Sequence, residues 1–263
     1  MMSAVAASAG KPVPVLELAG VSKRFGGLVV LDGLDLTLER GAMTCILGPN
    51  GCGKTTLFNV ITGALPPDGG TIRINGESVG GLPPYRISHK GVVRKFQVPG
   101  IYPELTVAEN LEVPLAASGK GTGPLRLLLS GLDDAGNAER RAELLDLCGL
   151  ADKAEMPVPS LAHRERQRLE IAMLLARQSD LLLLDEPTAG MSAAETRAVA
   201  ELVDRLRREH GKSVLVIEHD MSFVRDLGCP IVVMVRGKVI ATGSYEEVSR
   251  NPEVIASYLG RAR

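Results

Sequence analysis

The chain has 263 residues, of which 45% are hydrophobic and 23% charged, with a formal net charge of −1. That length holds one large α/β domain or two modest ones around a sizeable core, and the composition is that of an ordinary globular protein. Near-neutral charge argues against a non-specific nucleic-acid binder, and no apolar run approaches the roughly 20 residues that a membrane-spanning helix needs.

Residues 1–14 are rich in Ala, Ser and Pro and lack a basic n-region, which predicts a disordered tail rather than a signal peptide. Residues 15–18 and 34–38 alternate apolar and polar, as half-buried antiparallel strands do. Between them, Lys23-Arg24-Phe25-Gly26-Gly27 sets an aromatic in a basic, glycine-flanked loop, in a chain with four Phe, four Tyr and no Trp. Position alone leaves Phe25 either a stacking surface for a flat base or a core aromatic.

Residues 43–47 form a short apolar run that predicts a buried strand. Leu57, Val60 and Ile61 then fall at helical spacing, with Gly63 where a C-cap belongs. Between strand and helix lie Gly48, Pro49, Asn50, Gly51, Cys52, Gly53, Lys54, Thr55 and Thr56. They match G-x-x-x-x-G-K-[ST], the phosphate-binding P-loop. Glycines let successive backbone N–H groups surround a polyphosphate, and the helix N-terminus adds its dipole and unpaired N–H groups. Lys54 is placed to hold the β- and γ-phosphates, and the Thr55 hydroxyl to ligate Mg²⁺. A nucleoside triphosphate is the expected ligand.

Pro67-Asp68-Gly69-Gly70 predicts a turn and residues 71–74 the strand after it. Residues 91–97 predict a strand ending at Gln97, and from 98 to about 177 the pattern turns helical. Ala142, Leu145 and Cys148 share one helix face that stops at Gly149; Leu169, Ala172, Met173 and Ala176 share another. Residues 119–131 are a loop or a short helix. The four cysteines (Cys45, Cys52, Cys148, Cys229) have no metal-ligand spacing, and Cys45 and Cys148 read as small buried hydrophobes.

Residues 181–186 run Leu-Leu-Leu-Leu-Asp-Glu, a strand buried on both faces that ends in two carboxylates. Buried unpaired charge is costly, so either the pair is solvated or it serves a cation and a reaction. Asp185 fits the holder of Mg²⁺ and Glu186 the base that polarises the attacking water. The helix expected at 193–209 buries Val199, Leu202, Val203 and Leu206, with Glu201/Arg205 and Asp204/Arg208 pairs outside. Residues 213–219 form another buried strand, ending at His219. Ligands of parallel α/β sheets bind at the carboxyl ends of strands, where Gly48, Gln97, Asp185 and His219 converge.

The order of P-loop, Gln97, helical segment, residues 181–186 and His219 resembles the ATP-binding subunit of an ABC transporter, across residues 15–263. Arg24-Phe25-Gly26-Gly27-Leu28, Val93-Arg94-Lys95-Phe96-Gln97, Leu169-Glu170-Ile171-Ala172, Ala189-Gly190-Met191, Glu218-His219-Asp220-Met221, Asn251-Pro252-Glu253-Val254-Ile255 and Tyr258-Leu259-Gly260 look like importers of the branched-chain amino acid and urea type. The resemblance implies a P-loop NTPase core with an antiparallel β subdomain and a helical subdomain inserted at roughly 98–178. It implies ATP and Mg²⁺ as cofactors and hydrolysis coupled to transport. Phe25 becomes the adenine-stacking aromatic, and Gln97, with Thr55 and Asp185, a neighbour of Mg²⁺ and the attacking water. Lys54, Gln97, Glu186 and His219 form the catalytic group, with His219 on the γ-phosphate and residues 189–192 crossing a dimer interface. The implied partners are a second ATP-binding subunit, like or unlike, and transmembrane permease subunits that the loop Pro99-Gly100-Ile101-Tyr102-Pro103 would touch. The implied location is peripheral, on the cytoplasmic face of the inner membrane.

One motif departs from the family. Its signature, usually L-S-G-G-Q or L-S-H-G-Q, closes on the γ-phosphate held by the opposite subunit, and here falls at Leu161-Ala162-His163-Arg164-Glu165. Ala162 has no hydroxyl, Arg164 replaces a glycine that permits close approach, and Glu165 brings negative charge toward a polyanion. The helix N–H groups and dipole remain, so Ala162, His163 and Arg164 stay among the expected nucleotide contacts. The segment reads as a weakened signature, the alternative being an Arg164 guanidinium that reaches the phosphate. Two rival functions stand beside the importer: the ATPase of a lipid or lipopolysaccharide extractor, and a regulatory subunit that binds ATP but hydrolyses it poorly.

Overall fold

The computed structural model describes residues 13–95, 100–118, 135–177, 179–219 and 221–259. Gln97, the segment 119–131 and all but the end of the expected tail lie outside them. In chain order the strands are β1 (Leu16–Phe25), β2 (Leu28–Leu38), β3 (Met43–Leu47), β4 (Gly69–Ile74), β5 (Glu77–Ser78), β6 (Val92–Lys95), β7 (Leu181–Asp185), β8 (Ser213–Ile217), β9 (Ile231–Val235) and β10 (Lys238–Gly243). The helices used below are α1 (Lys54–Ile61), α2 (Pro84–Ser88), α3 (Val107–Ser118), α4 (Ala135–Leu147), α5 (His163–Ala176) and α6 (Ala193–His210).

β1, β2, β4 and β5 make an antiparallel sheet in the order β2-β1-β4-β5, and the rest a sheet in the order β10-β9-β3-β8-β7-β6. In the second sheet β3 runs parallel to β8 and β9, and β7 parallel to β6 and β8, so their carboxyl ends share one edge. Every residue of β3, β7 and β8 is buried. Alternate side chains enter different cores. Ile46, Leu181, Leu183, Leu215 and Ile217 pack with Leu57, Phe58 and Ile61 of α1 and with the antiparallel sheet. Cys45, Leu47, Leu182, Leu184, Val214 and Val216 pack with the helices of the opposite layer. A strand covered on both faces has no polar side, which explains the unbroken leucines; burying each contributes about 1.5–3 kcal/mol.

The first hairpin is longer than its sequence pattern predicts. β1 runs through Lys23 and Arg24 to Phe25, and only Gly26 and Gly27 separate it from β2. The cause lies 45 residues away: Lys23, nearly buried, pairs its amine with Asp68 Oδ1 at 2.9 Å, and the Arg24 N–H donates to Asp68 Oδ2 at 2.7 Å. Asp68 thereby stays ionised below the usual carboxylate range, chiefly through Lys23. Gly69 and Gly70 belong to β4 rather than to a turn. A Cβ on Gly70 would lie 2.4 Å from the Gly20 carbonyl, so the strands can approach there only with glycine.

α3, α4 and α5 stand between β6 and β7 in the chain. Leu145 and Cys148 are buried as expected, but Ala142 is exposed and Leu144 takes the inward place. On α6, Val199, Leu202, Val203 and Leu206 are buried, with Ser192 and Glu195 closing a capping box at its start. Asp204 pairs with Arg208 and Arg207, whereas Arg205 turns to Glu209 at 3.2 Å instead of Glu201. All four cysteines are buried thiols outside any disulfide; burial pushes the Cys148 thiol up to about 12 and the Cys229 thiol up to about 11.

Candidate functional site

β3 delivers Gly48 to the shared carboxyl edge and α1 starts at Lys54, with Gly53 before it at φ +111°. A Cβ on Gly48 would lie 2.3 Å from the Met234 carbonyl oxygen, and one on Gly53 would lie 2.7 Å from that of Val30. Both glycines are therefore fixed by close backbone approach. Asn50 and Gly51 form the exposed apex, Thr55 is exposed at the helix start and Thr56 partly covered. The buried Lys54 amine donates to the carbonyls of Gly48 at 2.7 Å and Pro49 at 3.2 Å, and lies 4.0 Å from Cys52 Sγ. A cation resting on neutral carbonyls beside a helix N-terminus fits a polyphosphate.

The loop is fastened from outside. The Gly237 N–H, in the turn between β9 and β10, donates to the Cys52 carbonyl at 2.9 Å, and the Gly237 carbonyl accepts from the Asp32 N–H at 3.0 Å. This ties the P-loop to β2, whose hairpin carries Phe25 at its tip. Phe25 is 47% exposed, with the Lys23 amine 5.7 Å from its ring centre. Of the two readings left open, the core aromatic is excluded.

Asp185 ends β7 and is buried beneath Arg94 of β6. One guanidinium nitrogen donates to Asp185 Oδ2 at 2.6 Å, another to Asn59 Oδ1 of α1 at 2.6 Å, and the group lies 5.3 Å from the Phe58 ring centre. Glu186 follows in the left-handed region at φ +46°, its N–H bonded to the Ile217 carbonyl at 2.9 Å. That conformation is uncommon for a residue with a Cβ and costs about 1–3 kcal/mol. It leaves the carboxylate partly exposed, with Oε1 3.5 Å from His219 Nδ1. Glu218, fully buried next to His219, accepts from the Thr188 N–H and hydroxyl and from the His219 N–H. So the structure gathers Lys54, Thr55, Asp185, Glu186 and His219 at one edge; Gln97 lies outside the described residues. Arg94, Thr188, Glu218 and Gly237 had no role assigned from the sequence. For Arg94 a signal existed, since a cation directly after Val92 and Val93 in a predicted strand calls for a partner if that strand is buried.

The signature segment begins α5. Ala162, its N-cap residue, is exposed together with His163 and Arg164, whereas Glu165 is largely covered. The Glu165 carboxylate turns back to accept from the Ala162 N–H at 2.9 Å and pairs with Lys153. Lys153 first, and then that N–H, hold it below the usual carboxylate range. The Glu165 carboxylate thus stays at the start of its own helix, which it caps. Arg164 and His163 lie near enough to Glu195 to reinforce its ionised form, which the Ser192 N–H and hydroxyl chiefly secure.

Residues 31–189, spanning the P-loop, Arg94, the signature, Asp185 and Glu186, match the ABC transporter family. The chain belongs to that family. Residues 238–263 also match the branched-chain amino acid ATP-binding cassette transporter family. This ABC ATPase is 39% identical over 257 residues to the high-affinity branched-chain amino acid transport ATP-binding protein BraF of Pseudomonas aeruginosa, covering 95% of this chain and 99% of the relative. Its fold is that of a crystallised ATP-binding cassette of an ABC transporter in the ADP conformation, with TM-score 0.82 and 29% identity over 94% of this chain and 99% of that one. A dimeric ATP-binding cassette in a post-hydrolysis state, bound to ADP and Pi, superposes with TM-score 0.72 and 25% identity over 88% and 98%. The chain is the nucleotide-binding, ATP-hydrolysing subunit of an ABC importer, built on the ABC ATPase fold. Among the described residues no helix is long and apolar enough to cross a membrane.

Proposed function

We propose that this ABC ATPase powers uptake of branched-chain amino acids. The observation that carries the reading is its likeness to BraF over nearly the whole of both chains, joined at the C-terminus by the branched-chain family match. Phe25 stacks on the adenine, and residues 48–56 hold the phosphates. Lys54 exchanges its loop carbonyls for β- and γ-oxygens, and Glu186 orients the attacking water with His219 on the γ-phosphate. Thr55 and Asp185 fit a Mg²⁺ ion, hydroxyl and carboxylate being hard oxygen donors, with Gln97 the third expected group. When bound, that ion neutralises charge on the β- and γ-oxygens.

A second ATP-binding subunit supplies the opposite signature, and permeases dock beside the helical segment, near 98–178. There Ile101 packs on the core and Tyr102 stays 46% exposed. Buried Asn110 fixes that loop, accepting from the Tyr102 N–H at 2.8 Å and donating to its carbonyl at 3.0 Å. The subunit then sits peripherally on the cytoplasmic face. A hydrolysis-poor role has one observation in its favour, the Glu165 carboxylate on the Ala162 N–H. The test is to rebuild this chain with its permeases, partner ATPase and binding protein in vesicles and follow labelled leucine, isoleucine, valine and urea. ATP-dependent uptake of the three amino acids is expected; uptake of urea alone, or hydrolysis without amino-acid movement, overturns the substrate.

A further inference from the structure

We infer that Glu218 is a positioning residue for hydrolysis, a strut that locks the turn carrying Glu186 to the backbone of His219. Its carboxylate is fully buried at the end of β8. Oε1 accepts from the Thr188 N–H at 3.1 Å and the Thr188 hydroxyl at 2.7 Å, while Oε2 accepts from the His219 N–H at 3.1 Å. Thr188 closes the Glu186-Pro187-Thr188 turn, whose other end is pinned by the Glu186 N–H on the Ile217 carbonyl at 2.9 Å. The turn is thus bolted to β8 at both ends.

A left-handed glutamate persists only where its surroundings over-determine it, and these two attachments are those surroundings. The strut reaches further, because the Thr188 carbonyl accepts from the Met191 N–H at 3.1 Å, in the segment that leads to α6. A fully buried carboxylate is a costly way to fill space, and a hydrophobic side chain would pack there at less expense. What it supplies instead is geometry: the base and the histidine keep a fixed relation while nucleotide enters and leaves.

The chemistry selects the variants. In Glu218→Gln the amide oxygen still serves Thr188, but its NH2 faces the His219 N–H, donor against donor. Thr188→Val removes the hydroxyl and Thr188→Ser keeps it. In the reassembled transporter, Glu218→Gln should lower kcat about tenfold, with KM and Mg-ATP affinity of the full chain held within about twofold. Thr188→Val should lower kcat about fivefold and Thr188→Ser restore it. The double variant Glu218→Gln/Thr188→Val should lose less than the product of the singles, since both open one lock.

Parental kcat in Glu218→Gln, or a loss confined to affinity, overturns the strut. If Glu218→Gln fails to fold, the threonine pair decides: equal kcat in Thr188→Val and Thr188→Ser overturns it. The inference rests on the roles proposed for Glu186 and His219, and Glu186→Gln separates the two. An active Glu186→Gln brings down both, whereas an inactive Glu186→Gln beside a normal Glu218→Gln brings down the strut alone.

Discussion

The P-loop and the signature segment are both helix starts, and in this chain each is already engaged by one of its own side chains. At the P-loop the occupant is the Lys54 amine, resting on the carbonyls of Gly48 and Pro49. At the signature it is the Glu165 carboxylate, resting on the Ala162 N–H and held there by Lys153. Phosphate draws the lysine from two neutral acceptors toward a stronger, charged one. At α5 the incoming phosphate competes with an anion that is already charge-assisted and that offsets the positive end of the helix. The contrast predicts a first helix start ready for exchange and a second opposed by its own cap. Such a chain is then expected to work best where its P-loop meets a partner's signature.

Glu186→Gln tests this difference between the two helix starts most severely. It should cut steady-state hydrolysis on the order of a hundredfold while ATP still binds, because an amide cannot polarise water as the carboxylate does. In a heterodimer the matching change in the partner should remove little. Equal losses from both, or a vigorous homodimer of this chain alone, would show that the signature here is sound. Phosphate release by the reassembled transporter is the measurement.

Next comes Arg94→Met, which takes the buried counter-charge from Asp185. Affinity for Mg-ATP should fall about tenfold, and affinity for ATP in excess chelator should change little. Calorimetric titrations under both conditions separate this from simple damage to α1, which would weaken the two equally. A smaller effect is expected from Ala162→Ser combined with Glu165→Gln. Restoring a hydroxyl and removing the capping charge should raise homodimer turnover about threefold. Unchanged turnover would locate the weakness at Arg164 instead.

The smallest effect is on stability against pH. Glu165 is held below its ordinary range by Lys153, so its stabilisation is complete above the unfolded carboxylate value, about 4.3, and fades as pH falls through the lower folded value. Glu165→Gln should flatten that acid limb of the melting curve. An unchanged slope would mean that the ion pair contributes nothing.

What was legible in the sequence was whatever short-range pattern dictates. A run of leucines with no polar side implies a strand covered twice, and a glycine loop between strand and helix implies a phosphate cradle; β7 and the P-loop follow directly. Contacts between distant residues were hidden. Nothing near Lys23 announces Asp68, so the first hairpin looked like two short strands and a loop. Arg94 and Asp185 are 91 residues apart, and their pairing depends on β6 lying beside β7. Glu218 had no role in its strand pattern, because the turn that it holds belongs to Thr188, 30 residues earlier. Ala142 was assigned to the inner face of α4 by spacing alone, and packing chose Leu144.

The fastening of Gly237 to both Cys52 and Asp32 has a consequence for product release. It puts the aromatic tip and the phosphate loop on one hydrogen-bonded frame, so that, with nucleotide bound as proposed, the span from base to β-phosphate is gauged by that frame. Adenosine diphosphate fits that gauge as well as the triphosphate does. The frame therefore cannot tell spent nucleotide from fresh. In the proposed function that distinction falls to the groups that would meet only the last phosphate, His219 and a signature arriving from across a dimer. On the binding mode proposed above, turnover in this subunit would then be timed by the parting of two subunits rather than by the opening of a pocket.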